Sequence, residues 1–129
     1  MRWLERYSNY TYALLRIFAG AMLAFHGSQK ILGILSDFPR PPVGSQLWLG
    51  GIIELVGGTL VALGFQTRLA AFLLSGTMAV AYFQFHWKLQ LGRAFFPAIN
   101  KGELAVIYCF VFLYLASRGG GAWSVDRRS

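Results

Sequence analysis

Apolar residues in this chain fall into four long blocks, parted by short polar or proline-rich stretches. The blocks cover residues 12–35, 47–65, 69–87 and 101–117. About 20 residues of helix cross the roughly 30 Å hydrocarbon core of a bilayer. Blocks two and three match that length, block one fits with a tilt, and block four is slightly short and borrows from its flanks. The pattern predicts an all-α fold: a four-helix transmembrane bundle with antiparallel neighbours and both termini on the same side. It forms a single membrane domain over residues 1–129. The connections agree with this division. Ser36 to Ser45 holds Pro39, Pro41 and Pro42 and cannot continue a helix. Gly64-Phe65-Gln66-Thr67-Arg68 is short enough to fold blocks two and three into a hairpin. Residues 88–100 contain Gly92 and Pro97. Gly119-Gly120-Gly121 ends the last helix, after which Asp126, Arg127 and Arg128 are expected in water.

Composition narrows the class. The chain of 129 residues is 56% hydrophobic and 13% charged, against about 45–50% and 25% in average soluble domains. A disordered chain is polar and poor in aromatics, whereas this one is 16% aromatic. Its 15 glycines and few charges exclude a coiled coil. A water-soluble domain of this size has too much surface to hide so much apolar side chain. The formal charge of +7 sits mostly between the blocks, the distribution of residues that face lipid headgroups rather than of a nucleic-acid stripe. The expected partner is therefore the lipid bilayer, and no nucleic acid. One side of the bundle carries Arg2, Arg6, Arg68, Arg118, Arg127 and Arg128; the other carries Arg40, Lys88, Arg93 and Lys101. This bias favours cytoplasmic termini, with the inner (cytoplasmic) membrane as the expected location. A cleavable signal peptide fits poorly, because the apolar run after Arg16 exceeds signal-peptide length. The single cysteine, Cys109, closes no internal disulfide and reads as a small buried apolar residue.

Ionisable groups inside the blocks need partners, since each costs roughly 2.5–3.5 kcal/mol at the bilayer centre. His26, Gln29 and Lys30 share one face of the first helix by their spacing. At a rise of about 1.5 Å per residue, His26 lies about 13 Å and Glu54 about 12 Å below the same surface. Glu54 is thus level with His26 and within reach of Lys30. His86 closes the third block, and Asn100 and Glu103 open the fourth, towards the same surface. Apart from Arg16, which is expected to snorkel, the opposite half is nearly free of such groups. This one-sided polarity admits three readings. One is an ion-paired network that only sets helix register. Another is a ligand-binding or redox site, and the third is a conduction path for protons or ions. Haem and zinc ligation fit poorly, because the histidines differ in depth and no local ligand spacing is present, so no metal is expected. Gly20, Ala24, Gly50, Gly57 and Gly58 read as close-packing positions. Gly57 and Gly58 alternatively leave room for a flat ligand. The aromatics at Tyr82, Phe83, Phe85 and Trp87 read as an interfacial belt, or as the lining of a quinone pocket.

Several segments together resemble the DoxX family of small four-helix membrane proteins. They are Leu14-Leu15-Arg16 leading to His26-Gly27-Ser28-Gln29-Lys30, then Glu54-Leu55-Val56-Gly57-Gly58 and Gly64-Phe65-Gln66-Thr67-Arg68-Leu69-Ala70-Ala71. A histidine ends the third block, and Phe95-Phe96-Pro97 and Asn100-Lys101-Gly102-Glu103-Leu104-Ala105 lead into the fourth. Gly121-Ala122-Trp123-Ser124-Val125-Asp126 is similar to the family's closing pattern. The family takes its name from a protein associated with a terminal quinol oxidase, and relatives are linked to thiosulfate:quinone oxidoreduction and to membrane oxidative-stress complexes. The resemblance therefore implies an accessory, quinone-associated subunit, with quinone as candidate cofactor and a membrane redox complex or a homo-oligomer as candidate assembly. Combined with the one-sided polar cluster, it points to a site at His26, Gln29, Lys30, Glu54, His86, Asn100 and Glu103, without the cysteines through which other quinone-handling four-helix proteins act. The competing functions are a structural or assembly protein with a buried polar network, and a small-solute transporter.

Overall fold

Helices make up the ordered secondary structure throughout, and among the described residues there is no strand. The computed structural model describes residues 1–87, Phe96 and residues 102–126, with 85–87 described as backbone only. Asn100 therefore lies outside the described residues, as does the side chain of His86. The elements are α1 (Arg2–Glu5), α2 (Ser8–Leu32), α3 (Gln46–Leu63), α4 (Thr67–Ala81), which continues as a π-helix over Tyr82–Trp87, and α5 (Glu103–Arg118). Helix α2 starts before the first apolar block and stops short of Leu35. Gly33 ends it in the left-handed conformation at φ +69°, which a residue without Cβ adopts freely. Helix α3 opens on Ser45, whose side chain accepts the Trp48 N–H at 3.2 Å, and closes on Gly64 at φ +73°.

The four long helices pack as two close pairs, α2 with α3 and α4 with α5; α3 meets α4 less extensively, and α2 barely touches α5. Glycine is the cause of the first pairing. A Cβ on Gly20 would stand 2.6 Å from the Gly58 carbonyl oxygen and the Ala62 nitrogen. One on Gly58 would stand 2.6 Å from the Gly20 carbonyl oxygen and the Ala24 nitrogen. Gly27 faces Gly51 and Leu55 in the same way, so the two helices run antiparallel, backbone against backbone. Gly50 differs from the sequence expectation: it has no atom within 4 Å of a Cβ position and packs against nothing.

The interior is an apolar core that includes Leu23, Leu74, Phe112 and Leu115, yet polar groups share it and large apolar side chains face outward. Arg16, Ser28, Glu54, Thr67 and Ser75 are buried, while Phe18, Met22, Val56, Leu69, Phe72, Ile107 and Phe110 are more than half exposed. Outward apolar faces of this kind suit lipid rather than water. Among the described residues one helix, Gln46–Leu63, is both long and apolar enough to cross a membrane, at 18 residues and mean hydropathy 1.6. Helix α2 has the length, at 25 residues, but Arg16, His26, Gln29 and Lys30 dilute its hydropathy. Helix α5 is shorter than a full span at 16 residues, and α4, with 15, reaches that length only through its π-helical continuation to Trp87.

The end of the molecule that carries the chain termini is tied shut, by two residues that behave differently from expectation. Arg16 does not snorkel: it is fully buried. Its Nε donates to the Val61 carbonyl at 3.1 Å, Nη1 to the carbonyls of Gly120 and Ala122 (2.7 Å for the second), and Nη2 to that of Trp123 at 2.8 Å. Helix α2 begins two turns before Arg16, which places the guanidinium inside. The irregular glycine-rich tail has carbonyls with no helical partner, and these satisfy it. Tyr12 donates to Gly119 at 2.5 Å on the same tail. Nor is Asp126 left to water. Helix α4 starts at Gln66 in the left-handed region, with no cap from its own side chain. Asp126 supplies the cap from across the chain, accepting the Gln66 and Thr67 N–H groups at 2.9 and 3.0 Å and the Thr67 hydroxyl at 2.7 Å.

Burial pushes the Asp126 carboxyl up, but the Thr67 hydroxyl, the two backbone N–H groups and the Arg16 charge outweigh it and hold the acid below its usual range. A depressed carboxylate adds stability that is complete above the unfolded value of about 3.9 and disappears as the pH falls through the folded value. Wild type should therefore melt above Asp126→Ala at neutral pH, by the equivalent of about 1 kcal/mol for a lost cap. The gap should close below about pH 4. Thermal melts of both proteins across the acid range check this; a gap independent of pH would refute it.

Candidate functional site

At the other end, helices α2 and α3 bring Lys30 and Glu54 together. Lys30 Nζ donates to Glu54 Oε1 at 2.7 Å. The pair is lopsided: the lysine side chain is 35% exposed and the glutamate 4%. The reason is local. Gly51, one turn before Glu54, lies under Lys30 and Ile31 with no side chain of its own, so α2 settles onto α3 and seals the carboxylate in the seam. Low dielectric strengthens the attraction and raises the cost of separating the partners.

Three cavities converge on Lys30. The first is a chamber of about 280 Å³ walled by His26, Lys30 and Glu54 from α2 and α3, Met78 from α4, and Ala105 and Tyr108 from α5. The second, about 330 Å³, lies under the proline-rich connection, between His26, Gln29 and Lys30 on one side and Phe38 and Pro41 on the other. The third is a furrow of about 600 Å³ between α3 and α4 that also reaches Glu54. Beyond the chamber α4 turns into a π-helix, a rare form that is frequent at functional sites.

Two buried oxygens are left without a hydrogen bond among the described residues: Glu54 Oε2 and the Tyr108 hydroxyl. Both residues line the chamber. Buried polar groups are nearly always paired, and one left alone costs about 1–3 kcal/mol. A carboxylate only accepts, while a tyrosine hydroxyl can donate. The chamber thus offers one acceptor and one donor on facing helices, with an imidazole and an ammonium beside them.

Of the sequence candidates, the fold brings His26, Lys30 and Glu54 to one chamber. Gln29 lies one cavity outward and donates to the Leu35 carbonyl at 3.2 Å. Glu103 is exposed in the first turn of α5; the chamber wall on that helix is Leu104, Ala105 and Tyr108 instead. Tyr108 was not among the candidates. Its signal lay in the helical spacing of Ala105, Tyr108, Phe112 and Leu115, the buried stripe of α5, in which it alone carries a hydroxyl. Cys109 is half-buried; its backbone carbonyl accepts the Ser75 hydroxyl at 2.7 Å.

Comparison with known proteins places these features. An uncharacterized protein of Haemophilus influenzae is 42% identical over 132 residues, an alignment covering 97% of this chain and 95% of that protein. No solved structure matches the chain. The DoxX family profile matches residues 11–87, which hold Arg16, His26, Lys30, Glu54 and the glycine seam of α2 and α3. With more than half its length so matched, the chain belongs to the DoxX family of membrane proteins.

Proposed function

We propose that this protein is an accessory, quinone-associated subunit of a membrane redox complex, and that its chamber receives a quinol or quinone head group. The observation that carries the reading is the pair of unpartnered buried oxygens, Glu54 Oε2 and the Tyr108 hydroxyl, on one chamber. A hydroxyl that donates to the carboxylate and accepts from the tyrosine satisfies both, and a quinol carries such hydroxyls on a flat ring. An oxidised head group, with carbonyls only, accepts from Tyr108 and from the remaining hydrogens of Lys30. His26, on the same chamber wall, is the proposed hydrogen-bonding partner of the head group. His86, Asn100 and Glu103 remain proposed members of the outer rim.

The same reading makes residues 1–129 one membrane domain, a four-helix transmembrane bundle in a bacterial cytoplasmic membrane. Outward apolar side chains on α2, α3, α4 and α5 support it. Arg2, Arg6, Arg68 and Arg118 gather at the end with the termini, and their excess there supports cytoplasmic termini. The expected test is titration of purified protein in nanodiscs with duroquinol, a tailless quinol. Wild type should bind saturably. Tyr108→Phe, which removes one donor and little volume, should weaken binding about three- to tenfold, the value of one hydrogen bond. Absence of saturable binding, or equal binding by wild type, Tyr108→Phe and His26→Ala, would overturn the proposal.

A further inference from the structure

We infer that the furrow between α3 and α4 seats the hydrocarbon tail of the same amphiphile and admits it sideways from the bilayer; this rests on the head-group reading above. The furrow and the chamber abut at the ion pair, since Lys30 and Glu54 line both. Glu54 is 3% exposed, and its Oε2 has no hydrogen bond among the described residues. The rest of the furrow is almost wholly apolar, with Leu49, Ile53, Leu73 and Val80 along its sides. Leu49, Leu73 and Val80 are exposed, so its long side opens where the outward faces suit lipid. Along α4 it runs from Ala81 to Phe72, about 13 Å at the helical rise.

Two glycines mark it. Gly50 on α3 and Gly76 on α4 both line the furrow, and neither has an atom within 4 Å of a Cβ position. Glycine inside a helix is less stable than alanine. Gly20, Gly27, Gly51 and Gly58 offset that loss by close helix contact, and Gly50 and Gly76 do not. What they leave is a flat channel where α3 and α4 pack less extensively than either close pair. A polar ligand would waste the apolar walls, and a bare alkane would leave Glu54 unsatisfied. A polar head on an unbroken hydrocarbon chain matches both ends.

The test compares two quinols in nanodiscs: duroquinol, with no tail, and a decyl-substituted benzoquinol. Gly76→Leu fills the channel, and leucine is a better helix former than glycine, so the fold is retained. The decyl compound should bind wild type more tightly than duroquinol. Gly76→Leu should erase about tenfold of that preference, the equivalent of roughly two buried methylene groups, and leave duroquinol affinity unchanged. Gly50→Leu should act in the same direction. If Gly76→Leu weakens neither compound while Tyr108→Phe weakens both, the head-group site stands and the furrow inference is overturned. If wild type binds neither, both readings fall together. If Gly76→Leu instead releases a bound phospholipid or changes the oligomeric state in native mass spectrometry, with the tail preference intact, the furrow belongs to that occupant and the inference is wrong.

Discussion

Arg16→Leu should cost about 3 kcal/mol of stability and free the C-terminal tail to proteolysis. The guanidinium serves the carbonyls of Val61, Gly120, Ala122 and Trp123. Val61 keeps a second donor in the Gly64 N–H at 3.0 Å. The three tail carbonyls lose a charge-assisted bond, at about 1–3 kcal/mol for each one left buried. Leucine also removes a desolvated charge, which offsets part of that loss, and the tail can detach to solvate its own carbonyls. A figure near one to two orphaned groups follows rather than three. Arg16→Lys should fall between, because an ammonium cannot hold a planar fork of acceptors. Truncation after Arg118 should be worse than Arg16→Leu, since it leaves the buried cation with no tail acceptor. Adding Arg16→Leu to the truncated chain should then restore stability. That reversal is the signature of one coupled network. Melting in detergent and protease sensitivity of the tail check the series; additive losses would show that Arg16 and the tail act separately.

The tie also bears on function. It closes the end that carries both termini: Val125 N–H donates to the Leu63 carbonyl at 3.1 Å and Asp126 N–H to that of Gly64 at 2.8 Å, across the α3–α4 turn. His26, Lys30 and Glu54 stand together at the opposite end. Solute conduction needs a polar route through both ends, and the tail lies across one of them. A site entered from one face, or from the side, fits this arrangement better than a pore.

Helix placement was legible in the sequence because hydropathy and proline are local signals. The apolar blocks locate α2, α3, α4 and α5, and Gly33 and Gly64 stand where helices end. Equal rise from a shared surface puts Glu54 within reach of Lys30, and the two meet at 2.7 Å. What escaped the sequence depends on which face turns inward. Gly50 and Gly51 are neighbours, yet Gly51 packs under Lys30 and Gly50 faces an open furrow. Tyr108 turns inward on the α5 stripe of Ala105, Tyr108, Phe112 and Leu115, which hydropathy alone does not mark. Arg16 and Asp126 find their partners over a hundred and about sixty positions away. No periodicity reports such contacts, because loop closure and tail docking are decided only when the helices have packed.

Breaking the Lys30–Glu54 pair should separate a purely structural role from a binding one. Lys30→Met leaves Glu54, 3% exposed, as a buried carboxylate without its cation, a change worth about 3–5 kcal/mol in buried pairs. Lys30 is one-third exposed and its cation is partly screened, so the lower end of that range is expected. Glu54→Gln leaves an ammonium that can turn outward to the cavity beneath the proline-rich connection, and should cost less. The double substitution Lys30→Met, Glu54→Gln removes both charges, and thermal melts should show it recovering most of the loss of Lys30→Met. A pair that only sets helix register predicts nothing more. The head-group reading predicts that the refolded stability is not matched by refolded function: the doubly substituted protein should melt near wild type yet bind duroquinol at least tenfold more weakly, because the amide both lacks the charge and no longer has Lys30 beside it. Recovery of binding along with stability would mean that the carboxylate holds helices and not a ligand. Two oxygens buried without partners would then need another explanation, and duroquinol binding unchanged by Tyr108→Phe would be its first sign.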